Sequence, residues 1–267
     1  MTATVAVDLG NSAAKWSVDG RAEQRVSLRA ADWVEHLIGE ARASTSAASA
    51  ASTAASSSAS TAAASVRWRI ASVNRPITKL LVGRLQDDAP DSDIRIIACD
   101  DVPMTAKVAS PDRVGIDRLL AAWMASRLFP AKSLIVVDAG SAITVDVVSP
   151  QAEFLGGVIL PGIALQFDSL ARGTDALPAI ELLTASEITT QSLPMPAKDT
   201  VSAIRSGILL GAAGSIEGLI LHHQTRSGDQ DPVVILTGGD SPILSRLLKH
   251  PHQIKPRLVL DAIAALP

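Results

Sequence analysis

Apolar and polar positions along the chain alternate with two periods, one of about two residues and one of about 3.6. Thr4–Asp8 and Ala14–Val18 read as apolar strands joined by a glycine-containing turn, and Ala30–Ala41 carries Trp33, Leu37 and Ile38 on one helical face. Trp68–Val73 and Ile94–Ala98 are predicted as two further strands and Asp117–Leu128 as a helix. Ser133–Asp138 is a fully apolar strand ending in a second glycine turn, with Ile143–Val148 as its hairpin partner. Val158–Leu160 and Val233–Leu236 read as strands, and Thr200–His222, Asp240–Leu248 and Leu258–Leu266 as helices. Strands mixed with crossover helices predict an α/β architecture.

An internal repeat sharpens this picture. At an offset of 130 residues Val7-Asp8-Leu9-Gly10-Asn11 falls on Val137-Asp138-Ala139-Gly140-Ser141, each at the end of an apolar strand and each followed by another strand. Two copies of strand, Asp-x-Gly turn and strand suggest a duplicated domain with a cleft between the copies. The expected division is 1–115 and 116–267. One stretch lies outside the pattern: from Ala41 to Ser65 every residue except Arg42 is Ala, Ser or Thr. So many hydroxyls compete for the backbone and supply little to bury, so 41–65 is expected to be a flexible insertion in the first half.

Composition adds exclusions. Of the 267 residues 47% are hydrophobic but only 3% aromatic, with four Trp, three Phe and no Tyr, so aliphatic residues are expected to dominate the core. A net charge of −3 gives no overall drive toward nucleic acid or an anionic membrane surface. The single cysteine, Cys99, excludes an internal disulfide framework and a multi-thiolate zinc site. Asp8 interrupts the first apolar run, and charges break the later ones, so neither a signal peptide nor a membrane span is expected, and the predicted setting is cytoplasmic.

The candidate chemistry sits in the turns. In Asp8-Leu-Gly-Asn-Ser-Ala-Ala-Lys15 a glycine at a strand tip lets backbone N–H groups approach anionic oxygens, and Asp8 either holds Mg²⁺, directly or through water, or simply serves the turn. Asp138-Ala-Gly-Ser-Ala-Ile-Thr-Val-Asp146 repeats the arrangement, and a strand-end Asp138 needs either a partner or a cation. Gly115-Ile-Asp117-Arg118 opens a helix, where Asp117 is either an N-cap or, beside Arg118, a base able to accept a hydroxyl proton. Gly156-Gly157, Pro161-Gly162 and Gly238-Gly239 either are simple turns or offer bare backbone on which a flat ligand would lie. Neither a Gly-x4-Gly-Lys-Ser/Thr loop nor a strand-to-helix Gly-x-Gly-x2-Gly is present, which argues against P-loop and Rossmann nucleotide binding.

Taken together these motifs resemble the type III pantothenate kinases. Beyond the three acidic segments, the resemblance rests on Ala71-Ser-Val-Asn-Arg-Pro76, the Pro111-x-x-Val lead into Gly115, Gly156-Gly-x-Ile-x-Pro-Gly162, Thr200 followed by Ser206-Gly207, and Thr237-Gly-Gly-Asp240. It implies a duplicated actin-like ATPase (ribonuclease H-like) α/β fold and ATP-dependent phosphorylation of pantothenate, the first step toward coenzyme A. On the same grounds Asp8, Leu9, Gly10, Asn11, Ser12, Ala13, Ala14, Lys15 and Ser141 are implied to surround ATP, and Asp117 to be the general base. Gly115, Ile116, Asp117, Arg118 and Thr200 are implied to contact pantothenate, Asp8 to serve Mg²⁺, and Asp138 to bind a monovalent cation, K⁺ or NH₄⁺. A homodimer is implied as well. One departure stands out: where the family commonly has a Tyr two residues before an Asn-Pro, this chain has Val108 and Ser110-Pro111. Val108 is thus the expected lining position at which a substrate contact has changed. A non-catalytic relative and a kinase of another small alcohol are the alternatives this departure leaves open.

Overall fold

The computed structural model describes residues 2–53, 66–189, 192–229 and 231–266. Along the chain run β1 (Ala3–Leu9), β2 (Ala13–Val18), β3 (Gln24–Ser27), α1 (Trp33–Thr53), β4 (Val66–Ser72), α2 (Arg75–Asp88), β5 (Asp93–Ile96), β6 (Thr105–Ala106) and α3 (Ile116–Leu128). These are followed by β7 (Leu134–Ala139), β8 (Ala142–Val148), β9 (Glu153–Pro161), α4 (Ile163–Gly173), α5 (Thr200–Ser227), β10 (Val233–Thr237), α6 (Ser241–Ser245), β11 (Gln253–Ile254) and α7 (Leu258–Ala265). The elements group into two compact units, each discontinuous in sequence: Met1–Pro103 with Asp112–Leu120 and Arg257–Pro267, and Met104–Pro111 with Ala121–Pro256.

In the first unit the sheet order is β3-β2-β1-β4-β5, with β2 antiparallel to both its neighbours, β1 and β3, and β4 and β5 parallel to β1. The side chains of Val5, Val7 and Leu9 alternate onto one face, where they meet Trp16, Trp68 and the buried stripe of α1. All four Trp of this aliphatic-rich chain are buried. The C-terminal helix α7 packs on β1 and β4. In α1, Trp33, Leu37, Ala41 and Thr45 are buried at four-residue intervals. The helix therefore continues into the tract expected to be flexible from Ala41, because alanine favours helix and the buried stripe persists. Arg42 also donates to the Asp88 carbonyl oxygen at 2.9 Å. Positions 54–65 of the tract lie outside the described residues.

The strand expected at Ile94–Ala98 ends at Ile96, because Asp101 accepts from the Ala98 N–H at 2.8 Å and turns the chain. Helix α2 was not expected. It starts where Asn74 accepts from the Ile77 N–H and a proline occupies the first turn, a helix-start signal hidden in the Ser-Val-Asn-Arg-Pro run.

The second unit repeats the plan. Its sheet is β9-β8-β7-β10-β11, with β6 added outside β9. β7 and β8 stand for β1 and β2, and β10 lies parallel to β7 as β4 does to β1. The core packs Ile135, Val137, Ile143 and Val145 against one face of α5, through Ile208, Leu209, Ala212, Ala213, Ile216 and Ile220. By length and composition α5 is apolar enough to cross a bilayer, yet 44% of that window is buried inside the protein, and its buried positions recur at helical spacing against the core. Asp199 caps its start by accepting from the Ser202 N–H at 2.8 Å, and Gly228, at φ 74°, ends it.

Candidate functional site

The sequence-predicted residues fall into two groups, one on each unit. In the first unit Asp8 is the penultimate residue of β1, and Lys15 on β2 stands directly across from it. Gly10 closes the turn by donating to the Ala13 carbonyl oxygen at 3.1 Å, and Asn11 and Ser12 are exposed at its tip. Leu9 and Ala14 turn their side chains fully into the core, so these two positions offer a nucleotide only their backbone. The end of β4 is clipped to this turn: the Val73 N–H donates to the Leu9 carbonyl oxygen at 3.2 Å and the Ser72 hydroxyl donates to the same oxygen at 3.3 Å.

Asp117 occupies the first turn of α3 and is half-buried. Its Oδ1 accepts from the Arg118 N–H at 2.8 Å. Burial pushes the Asp117 carboxyl above its ordinary value, opposed by that N–H, by the Arg118 guanidinium and by Lys15. A shielded carboxylate with a raised affinity for protons, one oxygen tied down and cations nearby, suits a general base better than a bare helix cap. Gly115 is needed beside it, since a Cβ there would stand 2.5 Å from Asp117 Oδ1 and 3.7 Å from the Arg118 side chain. Gly115→Ala is expected to lower turnover by about 10- to 100-fold through displacement of the carboxylate. Thermal unfolding should barely change, because the crowded atom ends a side chain; a large loss of stability with normal turnover would contradict the expectation.

In the second unit Asp138 is the penultimate residue of β7, and Thr144 on β8 is its cross-strand partner. Ser141 is exposed at the turn, whose Gly140 N–H donates to the Ala142 carbonyl oxygen at 2.9 Å. Three of the flanking glycines are required by packing. A Cβ on Gly162 would overlap the Gly140 and Ser141 carbonyls, one on Gly157 the Val145 carbonyl and Asp146, and one on Gly238 the Ala139 carbonyl and the Asp138 carboxylate. The Asp240 N–H also donates to the Ala139 carbonyl oxygen at 2.9 Å, so the second Asp-x-Gly turn is wrapped in backbone. Thr200 is exposed at the start of α5. Val108 follows β6, with its Cγ1 3.3 Å from where a Cβ on Gly156 would stand.

The Thr144 hydroxyl oxygen is buried without a hydrogen-bond partner, directly across the strand pair from Asp138. A carboxylate beside an orphaned hydroxyl is the oxygen-rich environment a hard monovalent cation accepts. Among the described residues no group of three or more His, Cys, Asp or Glu gathers to cage a metal. Asp8 alone therefore fits a magnesium ion that takes one carboxylate and fills its remaining positions with water and phosphate.

The model of the type III pantothenate kinase family matches residues 4–222. A type III pantothenate kinase from Rhodopirellula baltica is 44% identical over 178 residues, 66% of this chain and 62% of the relative. One from Legionella pneumophila is 33% identical over 162 residues, 60% of each chain. The aligned part of the chain thus spans about three fifths of the length of these relatives. Among solved structures, a Baf family protein from Campylobacter jejuni superimposes with a TM-score of 0.57 at 19% identity, covering 98% of this chain and 96% of that one. The activator of the 2-hydroxyisocaproyl-CoA dehydratase from Clostridium difficile, solved with bound ADPNP, gives 0.50 at 15% identity, covering 99% and 93%. Likeness at this identity carries the fold alone, the duplicated actin-like ATPase arrangement.

Proposed function

The chain belongs to the type III pantothenate kinase family, and from that premise we propose that it transfers the γ-phosphoryl group of ATP to the terminal hydroxyl of pantothenate, with Asp117 as the general base. The single observation that carries the assignment is the Asp117 carboxylate, shielded at the start of α3 with Lys15 among the cations acting on it. Phosphoryl transfer needs little covalent help from the protein: it needs the nucleophile oriented and the charge on the phosphates balanced. Oδ1 of Asp117 is held by the Arg118 N–H, and the carboxylate is assigned to accept the hydroxyl proton. As that proton moves to Asp117, the hydroxyl oxygen bonds to the γ-phosphorus, the bond from phosphorus to the β–γ bridging oxygen breaks, and ADP departs with that oxygen.

Lys15 and the backbone at the exposed turn tip, Asn11 and Ser12, are assigned to the nucleotide phosphates, as is the exposed Ser141. Asp8 would hold magnesium through water, and Asp138 with Thr144 would hold K⁺ or NH₄⁺; when bound, these cations supply charge neutralisation at the phosphates. Thr200 and Ile116 are assigned to the acyl substrate, with Val108 at the altered lining position. A homodimer and a cytoplasmic setting complete the reading.

The test uses the purified full chain with ATP, Mg²⁺, K⁺ and a panel of small alcohols. ADP release should depend on pantothenate and rise only weakly with the other alcohols. Preference for another alcohol would move the assignment to a different acceptor, and ATP binding without transfer to any of them would support a non-catalytic relative.

A further inference from the structure

Strand β3 is the outermost strand at one edge of the first sheet, and Gln24, Arg25 and Ser27 on it are exposed. Its end is fixed to the first Asp-x-Gly turn, because the Leu28 N–H donates to the Ser12 carbonyl oxygen at 3.0 Å. The register sets Arg25 directly opposite Lys15 of β2, and Lys15 directly opposite Asp8 of β1. Residues paired in this way project from the same face, so Asp8, Lys15 and Arg25 form a row across one face of the sheet. Ala13 and Ser27, two residues along the same strand pair, share that face on the side of the turn.

The pair Lys15 and Arg25 is the anomaly in this row. Side chains directly opposite one another stand about 5 Å apart at Cβ, and like charges so placed repel. Among the described residues neither cation is held in an ion pair. Asp8 is the one acid of the row and is assigned above to magnesium, while Glu23 precedes β3 and stands outside the row. A cation on an edge strand also keeps that edge from pairing with another chain. That service needs no like charge opposite it. An anion seated between the two cations turns their repulsion into two charge-assisted contacts. Lys15 is among the cations acting on the Asp117 carboxylate, so an anion beside Lys15 lies toward the reacting end of the nucleotide.

We propose that Arg25 is a further phosphate-binding residue, forming with Lys15 a two-cation clamp on the terminal phosphates of ATP. The proposal rests on the kinase reading above and adds to its nucleotide end a residue from a neighbouring strand. The Arg25 side chain is exposed, so its replacement should leave the fold intact.

The test measures calorimetric affinities of the purified full chain for ATP and for AMP, which lacks the terminal phosphates, with Mg²⁺ present throughout. In Arg25→Gln the Kd for ATP should rise about tenfold or more, because a charge-assisted contact is lost, and the Kd for AMP should stay unchanged. Arg25→Lys should recover part of the loss, since the charge stays but the planar fork does not. Arg21→Gln removes the same charge from the β2–β3 loop, at the other end of the hairpin from the Asp-x-Gly turn, and should leave both affinities as they are. Without nucleotide, Arg25→Gln should unfold at a slightly higher temperature than the parent, because the like-charge pair is relieved. An unchanged ATP affinity in Arg25→Gln, an equal loss for ATP and AMP, or an equal loss in Arg21→Gln would overturn the clamp alone. Failure of the unaltered chain to bind ATP would instead remove the kinase reading, and this proposal with it.

Discussion

Asp117→Asn is expected to reduce kcat by about 10²- to 10⁴-fold, the range general-base catalysis contributes. The substitution keeps the shape and the ability to accept from the Arg118 N–H at 2.8 Å, so the helix start should persist while the proton acceptor is lost. The pH dependence follows from the direction of the shift. Burial raises the Asp117 carboxyl above its ordinary 3.8, and the base acts only when ionised. Activity should therefore rise with pH through an acid limb lying above the ordinary carboxylate value, and that limb should vanish in the variant. The linked effect on stability has the opposite sense: a folded-state pKa raised above the unfolded one favours the fold at pH below the unfolded value. That contribution disappears as pH rises through the folded value. Asp117→Asn should accordingly gain stability relative to the parent at neutral pH, a sign that unfolding curves at two pH values would check.

Gly238→Ala is expected to cause the largest loss of stability. Gly238 sits at φ 91°, which an L side chain rarely adopts, and its missing Cβ leaves room for the Ala139 carbonyl and the Asp138 carboxylate. Backbone strain of about 1–3 kcal/mol adds to overpacking of about 1–3 kcal/mol, since a backbone carbonyl cannot swing aside. For units of this size a loss of about 3 kcal/mol or more corresponds to a fall in Tm of about 6–12 °C. Gly228→Ala is the control. It too has positive φ, 74°, but nothing lies within 4 Å of its Cβ position, so only the strain of about 1 kcal/mol remains. Comparable losses for the two variants would show that the packing around Asp138 contributes nothing.

The duplicated plan was legible because its signal is local. The two Asp-x-Gly turns end strands whose apolar runs contrast sharply with their surroundings, and both open hairpins. The helix start beside Asp117 was legible to within one residue, from the apolar periodicity that follows it. The role of the glycines was not, because the atoms that forbid a Cβ on Gly157, Gly162 and Gly238 come from β7, β8 and the turn between them, up to about a hundred residues away. Helix α2 was missed because a single proline and asparagine marked its start and its buried stripe is thin, limited to Thr78, Leu81 and Leu85. The extension of α1 to Thr53 was hidden by serine and threonine, whose local competition for the backbone was outweighed by the stripe continuing through Ala41 and Thr45.

In the proposed reaction the Asp117 carboxylate at the start of α3 takes the proton from the hydroxyl of pantothenate while ATP is cleaved. Phosphorus NMR of the products formed by the parent chain and by Asp117→Asn under identical loading with ATP, Mg²⁺, K⁺ and pantothenate tests it most directly. The expected result is stoichiometric ADP and phosphopantothenate from the parent and almost none from the variant, with nucleotide binding retained in both. Phosphopantothenate formed at the same rate by the variant would contradict it.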